Sequence, residues 1–152
     1  MFWIESVRDR NDMSKMQNQD TRRSLAASQI YIEVLEAEMS ICKVQDLSLA
    51  DWKSDLCFTA KTDEENSLVC QTKAVPENTS KRDDGWKIMR IRGVLDFSLI
   101  GILAGISTEL ADHEIGIFVI STYNTDYILV KSKDMGKALE VLDKRGYQIT
   151  SN

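Results

Sequence analysis

The stretch IGIFVISTYNTDYILVK, residues 115–131, contains two apolar runs separated by a short polar segment. Ile115–Ile120 is apolar throughout, and Tyr127–Lys131 is apolar up to its last residue. Ser121–Asp126, between them, is rich in the Ser, Asn and Asp residues that favour turns. Two apolar runs joined in this way predict two strands connected as a hairpin.

The residues before this hairpin predict a strand followed by a helix. Trp86–Ile91 alternates in the manner of a half-buried strand. Beyond it, large apolar residues recur at steps of four, three and four, which is typical of a helix with one apolar stripe. Asp96 or Ser98 can cap the start of this helix. The stripe consists of Leu99, Leu103, Ile106 and Leu110.

The residues after the hairpin predict a second helix and a closing strand. The helix has Met135, Ala138, Leu139 and Leu142 on one face. Gly146 is its expected stop, and Tyr147–Ile149 is the closing strand. From Lys87 onward the order is therefore β-α-β-β-α-β, a ferredoxin-like arrangement. The predicted fold class is α+β, with antiparallel sheets and helices on one face.

The first half of the chain repeats the hairpin at a shift of 60 residues. Phe58–Thr62 then lies over Phe118–Thr122, and Leu68–Lys73 over Ile128–Lys133, without a gap. The match predicts duplication of one unit, although any two hairpins share some alternation. We expect a flexible N-terminal tail at residues 1–27, a first, degenerate unit at 28–84 and a second unit at 85–152.

The elements of the first unit are less regular. Ile30–Val44 predicts a long extended segment, and Leu47–Asp55 a short helical turn anchored by Trp52. Pro76–Asp84 predicts a loop, because it contains five charges and no apolar stripe.

Composition excludes several classes of partner. The net charge of −5 argues against nucleic acid, whose binding depends on Lys and Arg neutralising phosphates. Three widely spaced cysteines and one histidine predict no metal site, and no motif indicates a cofactor. The apolar stretches are far shorter than the about 20 residues that span a bilayer, and the N-terminus has neither a signal nor a transit pattern. We expect a cytoplasmic protein that binds no membrane.

Two other functional classes fit the sequence poorly. RNA-recognition domains share the β-α-β-β-α-β order but need several aromatic residues on a central strand. The corresponding strand here, Thr125–Lys131, has one aromatic residue and an acid. For an enzyme, no serine, cysteine or lysine lies in an activating motif, and one histidine leaves few general bases. We therefore predict no catalytic residues.

Two longer motifs resemble a known family. Residues 93–103, GVLDFSLIGIL, and 121–130, STYNTDYILV, resemble the small ACT-domain proteins of bacteria and fungi and the related cytosolic arginine-sensor (CASTOR) family. Upstream, residues 63–70, DEENSLVC, and the pair Gly85–Trp86 are similar to further motifs of that family. The resemblance extends from about Ile30 to Ile149.

The resemblance implies tandem ACT-like units and an amino-acid ligand. In such modules the ligand binds where the exit loop of the first strand and the start of the helix meet a neighbouring unit. The sensors have twice as many ACT units, and Thr125 stands where an aromatic residue is expected, so arginine itself is not implied. The ligand-binding residues implied here are Phe97, Ser98, Leu99, Gly101, Ser121, Thr122, Tyr123, Thr125 and Asp126.

Elementary chemistry agrees with such a ligand but leaves alternatives. A helix N-terminus suits a carboxylate, and Asp126 with the carbonyls of its turn suits an ammonium group. Asp126 can equally satisfy backbone N–H groups of its own turn. Gly101 and Gly105 either allow close packing of the helix or give access to a ligand. The function expected is a non-catalytic amino-acid sensor, with a homodimer or a protein effector as partner; the alternative is a ligand-free interaction module with a decayed site.

Overall fold

A computed structural model describes residue 27, residues 30–92 and residues 101–151. The chain forms seven strands and two α-helices in these ranges. The strands are β1 (Tyr31–Val44), β2 (Cys57–Lys61), β3 (Asn66–Gln71), β4 (Thr79–Arg92), β5 (Ile117–Ser121), β6 (Asp126–Lys131) and β7 (Gln148–Ser151). The helices are α1 (Ile102–Asp112) and α2 (Met135–Arg145), and Thr72–Ala74 forms a single 3-10 turn.

The chain divides into two compact units, and β1 and β4 contribute residues to both. The strand unit is Glu36–Ile88, and the helical unit consists of the chain up to Leu35 and from Met89 onward. These bounds describe contacts in space. The division of the sequence into a tail at 1–27 and repeats at 28–84 and 85–152 remains a prediction. Ala27, the last residue of that tail, is 2% exposed and belongs to the core of the helical unit.

The helical unit has the predicted β-α-β-β-α-β order from β4 to β7. Its strands lie in the order β7-β1-β4-β6-β5, with β7 parallel to β1 and β5 antiparallel to β6. Both helices pack on one apolar cluster with alternate residues of the strands. The central members of this cluster are Ile32, Met89, Ile91, Ile106, Leu110, Ile128, Val130, Ala138 and Leu142. The α+β, ferredoxin-like fold class is thus confirmed.

The strand unit has the order β2-β3-β1-β4 and contains no α-helix. β3 pairs antiparallel with both β1 and β2. β4 runs antiparallel to β1, because Ser80 Oγ donates to the carbonyl of Lys43 while Lys87 Nζ lies 3.8 Å from Glu38 Oε1. A small cluster of Cys42, Val44, Ala50, Leu68 and Cys70 forms its apolar core.

Two expectations for this unit were wrong. Leu47–Asp55 forms separate turns rather than one helical turn, and Trp52 is 63% exposed, so it does not anchor the segment. The predicted loop Pro76–Asp84 is strand from Thr79 onward. The four charged residues Lys81–Asp84 are all exposed, so this part of β4 lacks the apolar–polar alternation by which strands are identified in sequence.

None of the described helices is long and apolar enough to cross a bilayer.

Candidate functional site

The turn between β5 and β6 is held by its own threonines. Ser121 and Asp126 are the last paired residues of the hairpin. Inside them, the Thr122 amide donates to the Thr125 carbonyl at 2.9 Å, and Thr122 Oγ1 donates to the same carbonyl at 2.7 Å. The Thr125 amide donates back to Thr122 Oγ1 at 3.3 Å. The hydroxyl of Thr122 is therefore used within the turn.

The β2–β3 hairpin has the same turn 60 residues earlier. The Thr62 amide donates to the Glu65 carbonyl at 2.9 Å, and the Glu65 amide donates to Thr62 Oγ1 at 3.1 Å. The registers agree as well, since Phe58 pairs with Val69 and Phe118 with Leu129. The two hairpins thus share backbone geometry, as the gap-free sequence match predicts.

Their side chains differ at the equivalent positions. Thr125 Oγ1 donates to the carbonyl of Ile91 at 2.5 Å, which ties the turn to the end of β4. Its counterpart Glu65 instead accepts from Ser67 Oγ at 2.9 Å. Asn66, the counterpart of Asp126, donates to the carbonyl of Gln45 at 3.0 Å. The first turn thus contacts β3 and the residue after β1, whereas the second contacts β4.

Asp126 is half-buried at the start of β6. Alternation along a strand places it on the same face as Ile128 and Val130, which is the face that both helices cover. Tyr123, at the tip of the turn, is 94% exposed. Of the predicted site residues on this hairpin, Asp126 is the ionisable one that faces the helices.

Gly101 precedes α1 and has a φ of +90°. Only glycine adopts this conformation without strain, and its carbonyl accepts the first helical hydrogen bond, from Gly105 at 2.9 Å. A Cβ on Gly101 would meet no atom within 4 Å, whereas one on Gly105 would lie 3.2 Å from Tyr147 Oη. Gly105 alone of the two therefore allows close packing. Phe97, Ser98 and Leu99 lie outside the described residues.

The buried carboxylate of Glu33 was not predicted from the sequence. Glu33 on β1 is 5% exposed, and its Oε2 accepts from Arg90 Nε at 2.6 Å and from Arg92 Nε at 2.7 Å. The hydrogen bond from Arg90 holds the pKa of Glu33 below its usual range, against the opposing effect of burial. Arg90 also hydrogen-bonds Tyr127. The available signal was the alternation of Arg90 and Arg92 with the apolar Met89 and Ile91, which indicates one polar side of β4.

Within the described ranges, no three His, Cys, Asp or Glu side chains are arranged to hold a metal ion.

Sequence comparison identifies relatives over part of the chain. Residues 81–144 match the family model of the ACT domain. The cytosolic arginine sensor for mTORC1 subunit 1 of Homo sapiens is 40% identical over 68 residues, which are 44% of this chain and 21% of the sensor. The Mus musculus sensor is 37% identical over 68 residues, again 44% of this chain and 20% of the sensor. The match therefore spans about a fifth of the length of these relatives.

Comparison with solved structures covers more of the chain. A protein from Agrobacterium tumefaciens has a TM-score of 0.74 and 27% identity, over 82% of this chain and 94% of that one. The aspartate kinase of Clostridium acetobutylicum has a TM-score of 0.58 over 76% of this chain and 34% of its own, and at 11% identity it shows the fold alone. Residues 81–144 are thus similar to the ACT domain, and part of the chain is similar to the cytosolic arginine sensors.

Proposed function

We propose that the protein is a non-catalytic regulatory protein that binds an amino acid at the β5–β6 turn and the start of α1. The observation that supports this most directly is the contrast between the two hairpins. Their backbones form the same turn, yet the second has Thr125 and Asp126 where the first has Glu65 and Asn66. The turn itself does not need a carboxylate at position 126, because Asn66 occupies the equivalent position in the first hairpin.

The chemistry of the two elements is complementary to an α-amino acid. The Asp126 carboxylate, on the helix-covered face, would accept from the ligand ammonium. The first backbone N–H groups of α1 have no partners within the helix and would donate to the ligand carboxylate. Only four residues separate the end of α1 from β5, so we expect α1 to run back along β5 with its start toward the turn.

Two further predicted contacts lie on the same hairpin as Asp126. Thr125 holds the turn against the end of β4, and Ser121 pairs with Asp126. The arginine sensors, to which part of the chain is similar, are named for an amino acid, and this supports an amino acid as the class of ligand. We propose the following contact set: Phe97, Ser98, Leu99, Gly101, Ser121, Thr122, Tyr123, Thr125 and Asp126.

A thermal-shift screen of the full chain with the twenty amino acids tests the proposal. A ligand present at a hundredfold excess over its Kd stabilises the folded state by about 2.7 kcal/mol. For a chain of this size that corresponds to a rise in Tm of roughly 5–10 °C. A flat response to all twenty, at millimolar concentration, would favour the alternative of an interaction module with a decayed site.

Asp126→Asn identifies the site, with Asp63→Asn in the first turn as its matched control. Asp126→Asn should unfold at the wild-type temperature without ligand and lose most of the ligand-induced shift, because a charge-assisted hydrogen bond contributes about 1.5–3 kcal/mol. Asp63→Asn removes one exposed carboxylate and should keep the shift. If Asp126→Asn lowers the Tm of the free protein by several degrees instead, Asp126 is a turn residue and the site lies elsewhere.

We further propose that the protein acts in the cytoplasm, as a homodimer or bound to a protein effector. Light scattering at micromolar concentration, with and without the amino acid that shifts the Tm, tests whether the protein is a homodimer. A monomer mass under both conditions would exclude the homodimer and leave a protein effector as the partner. In that case the ligand-bound wild type should capture the effector in an affinity experiment, and the Asp126→Asn variant should not.

A further inference from the structure

Three free cysteines of the strand unit lie on three neighbouring strands and in one apolar cluster. They are Cys42 on β1, Cys70 on β3 and Cys57 on β2. Cys70 is 1% exposed and Cys42 is 3% exposed, whereas Cys57 is only partly buried and lies on the edge strand of the unit. Cys57 is therefore the most exposed of the three cysteines, and the other two are buried.

The strand register places one pair of cysteines directly opposite each other. Cys57 and Cys70 are direct partners across β2 and β3, and directly opposed residues point to the same face with Cβ atoms about 4.5–5.5 Å apart. Their expected Cα separation falls within the roughly 4.4–6.8 Å that disulfides require.

The third cysteine is placed differently. Cys70 is opposite Ser40 on β1 and Cys42 is opposite Leu68, so Cys42 and Cys70 are diagonal neighbours. Diagonal Cα atoms lie about 7–8 Å apart, which a disulfide does not span without movement of the backbone. The Cys42 and Cys70 thiols are nevertheless close enough to hydrogen-bond, so the two possible links must be distinguished by experiment.

The equivalent hairpin shows that these thiols are not needed for the turn or its register. Sixty residues later the same opposed positions are Ile117 and Val130. A pair of apolar side chains thus serves the same packing role. The cysteine pair is a feature of the strand unit alone within the described residues.

We propose that Cys57 and Cys70 form an oxidation site, at which a peroxide converts the two thiols into a reversible cross-strand disulfide. The Cys57 thiolate attacks a peroxide oxygen, the O–O bond breaks, and a sulfenic acid forms at Cys57. The Cys70 thiolate then attacks the Cys57 sulfur, forms the S–S bond and displaces hydroxide, which leaves as water. The two thiols lose two electrons and two protons in total, and hydrogen peroxide is reduced to two waters.

The reaction should be slow at neutral pH. Burial raises the pKa of the Cys57 thiol, and burial with the neighbouring cysteines raises the pKa of Cys70 to about 12. The thiolate is the nucleophile. While the pH is below the pKa, the thiolate fraction and the reaction rate rise roughly tenfold for each unit by which the pH increases. The site therefore responds to sustained oxidant, most strongly under mildly alkaline conditions.

Hydrogen peroxide treatment of the full chain, followed by mass spectrometry of non-reduced peptides, tests this proposal. Wild type and Cys42→Ser should both form the Cys57–Cys70 link, gain several degrees in Tm and return to the starting state with dithiothreitol. Cys57→Ser and Cys70→Ala should form no link. The double variant Cys57→Ile with Cys70→Val copies the equivalent pair and serves as the folded, unreactive control.

Two results would overturn the proposal. One is a Cys42–Cys70 link as the main product in wild type. The other is unchanged alkylation of both Cys57 and Cys70 by iodoacetamide, in urea, after prolonged peroxide treatment at about pH 8.5.

Discussion

Among the described residues, Glu33 is a buried carboxylate that pairs with two arginines. Its buried carboxylate accepts from both Arg90 and Arg92, and Glu33→Gln would leave two guanidinium groups beside a neutral amide. We expect a loss of about 2 kcal/mol in the free energy of unfolding, since hydrogen bonds between charged groups contribute about 1.5–3 kcal/mol. The matched control is Glu140→Gln in the exposed Glu140–Lys144 pair of α2, which should cost much less because exposed ion pairs contribute little to stability. Urea unfolding of the two variants measures both; equal losses would show that burial of Glu33 is unimportant.

The contribution of Glu33 should also depend on pH. Its pKa in the folded protein lies below the ordinary value of 4.5, so the unfolded chain takes up this proton first as the pH falls. The stabilisation is therefore complete above 4.5 and is lost as the pH falls through the folded pKa. Urea midpoints of wild type and Glu33→Gln should differ at neutral pH and converge as the pH falls below 4.5. A difference that stays constant over this range would contradict the assignment to the carboxylate charge.

At the residue scale, sequence predicts types of group better than their partners. The positions of Thr122, Thr125 and Asp126 in a turn follow from composition. That the Thr125 hydroxyl donates to Ile91 does not, because the bond joins residues 34 apart in sequence. The same holds for Glu33 and Arg90, which are 57 apart. Such pairings depend on strand register, which one sequence does not supply.

Glycines in the two helices give a prediction at the scale of an element. Glycine inside a helix is less favourable than alanine by about 1 kcal/mol, so Gly136→Ala in α2, where a Cβ meets nothing within 4 Å, should raise the stability by about 0.5–1 kcal/mol. In Gly105→Ala the new Cβ would lie 3.2 Å from Tyr147 Oη, and the crowding should offset the gain. Thermal unfolding of the two variants measures the difference. An equal rise in both would show that Tyr147 moves aside freely.

The elements that sequence predicts well are those with one buried and one exposed face. The hairpins β2–β3 and β5–β6, and helix α2, have clear periods and lie where expected. The failures, at Leu47–Asp55 and Thr79–Asp84, are segments without a buried stripe. In Thr79–Asp84 the strand is fixed by pairing with β1. Just before its start, the Gln45 amide donates to the Asn78 carbonyl at 3.1 Å. Local pattern carries no information about such a partner.

At the scale of the whole molecule, the two hairpins share a turn and a register and differ in the side chains at the turn. Both keep the threonine-based turn and the register, which are requirements of folding. Only the second places a carboxylate at the first residue of a strand whose face is covered by helices. The first adds Asp63, Glu64 and Glu65 at its turn, and Lys43 Nζ lies 3.9 Å from Glu65 Oε2. The second hairpin thus carries the groups of the proposed ligand site, while the turn of the first contacts Lys43, Gln45 and Ser67.

Exchange of the turn residues tests this division of roles. Replacing Tyr123-Asn124-Thr125-Asp126 by the Asp-Glu-Glu-Asn of the first turn keeps Thr122 and every backbone hydrogen bond of the turn. We expect the variant to fold, with a loss of about 1 kcal/mol for the missing Thr125–Ile91 bond, and to show no thermal shift with the amino acid that stabilises wild type. The single substitution Thr125→Val removes the same bond and controls for its loss. The reverse graft into residues 63–66 should fold and should keep the wild-type ligand response, because the second turn is intact. If the variant with the exchanged second turn still responds to the ligand, the site does not lie on this hairpin. If that variant fails to fold while Thr125→Val folds, the two turns are not interchangeable.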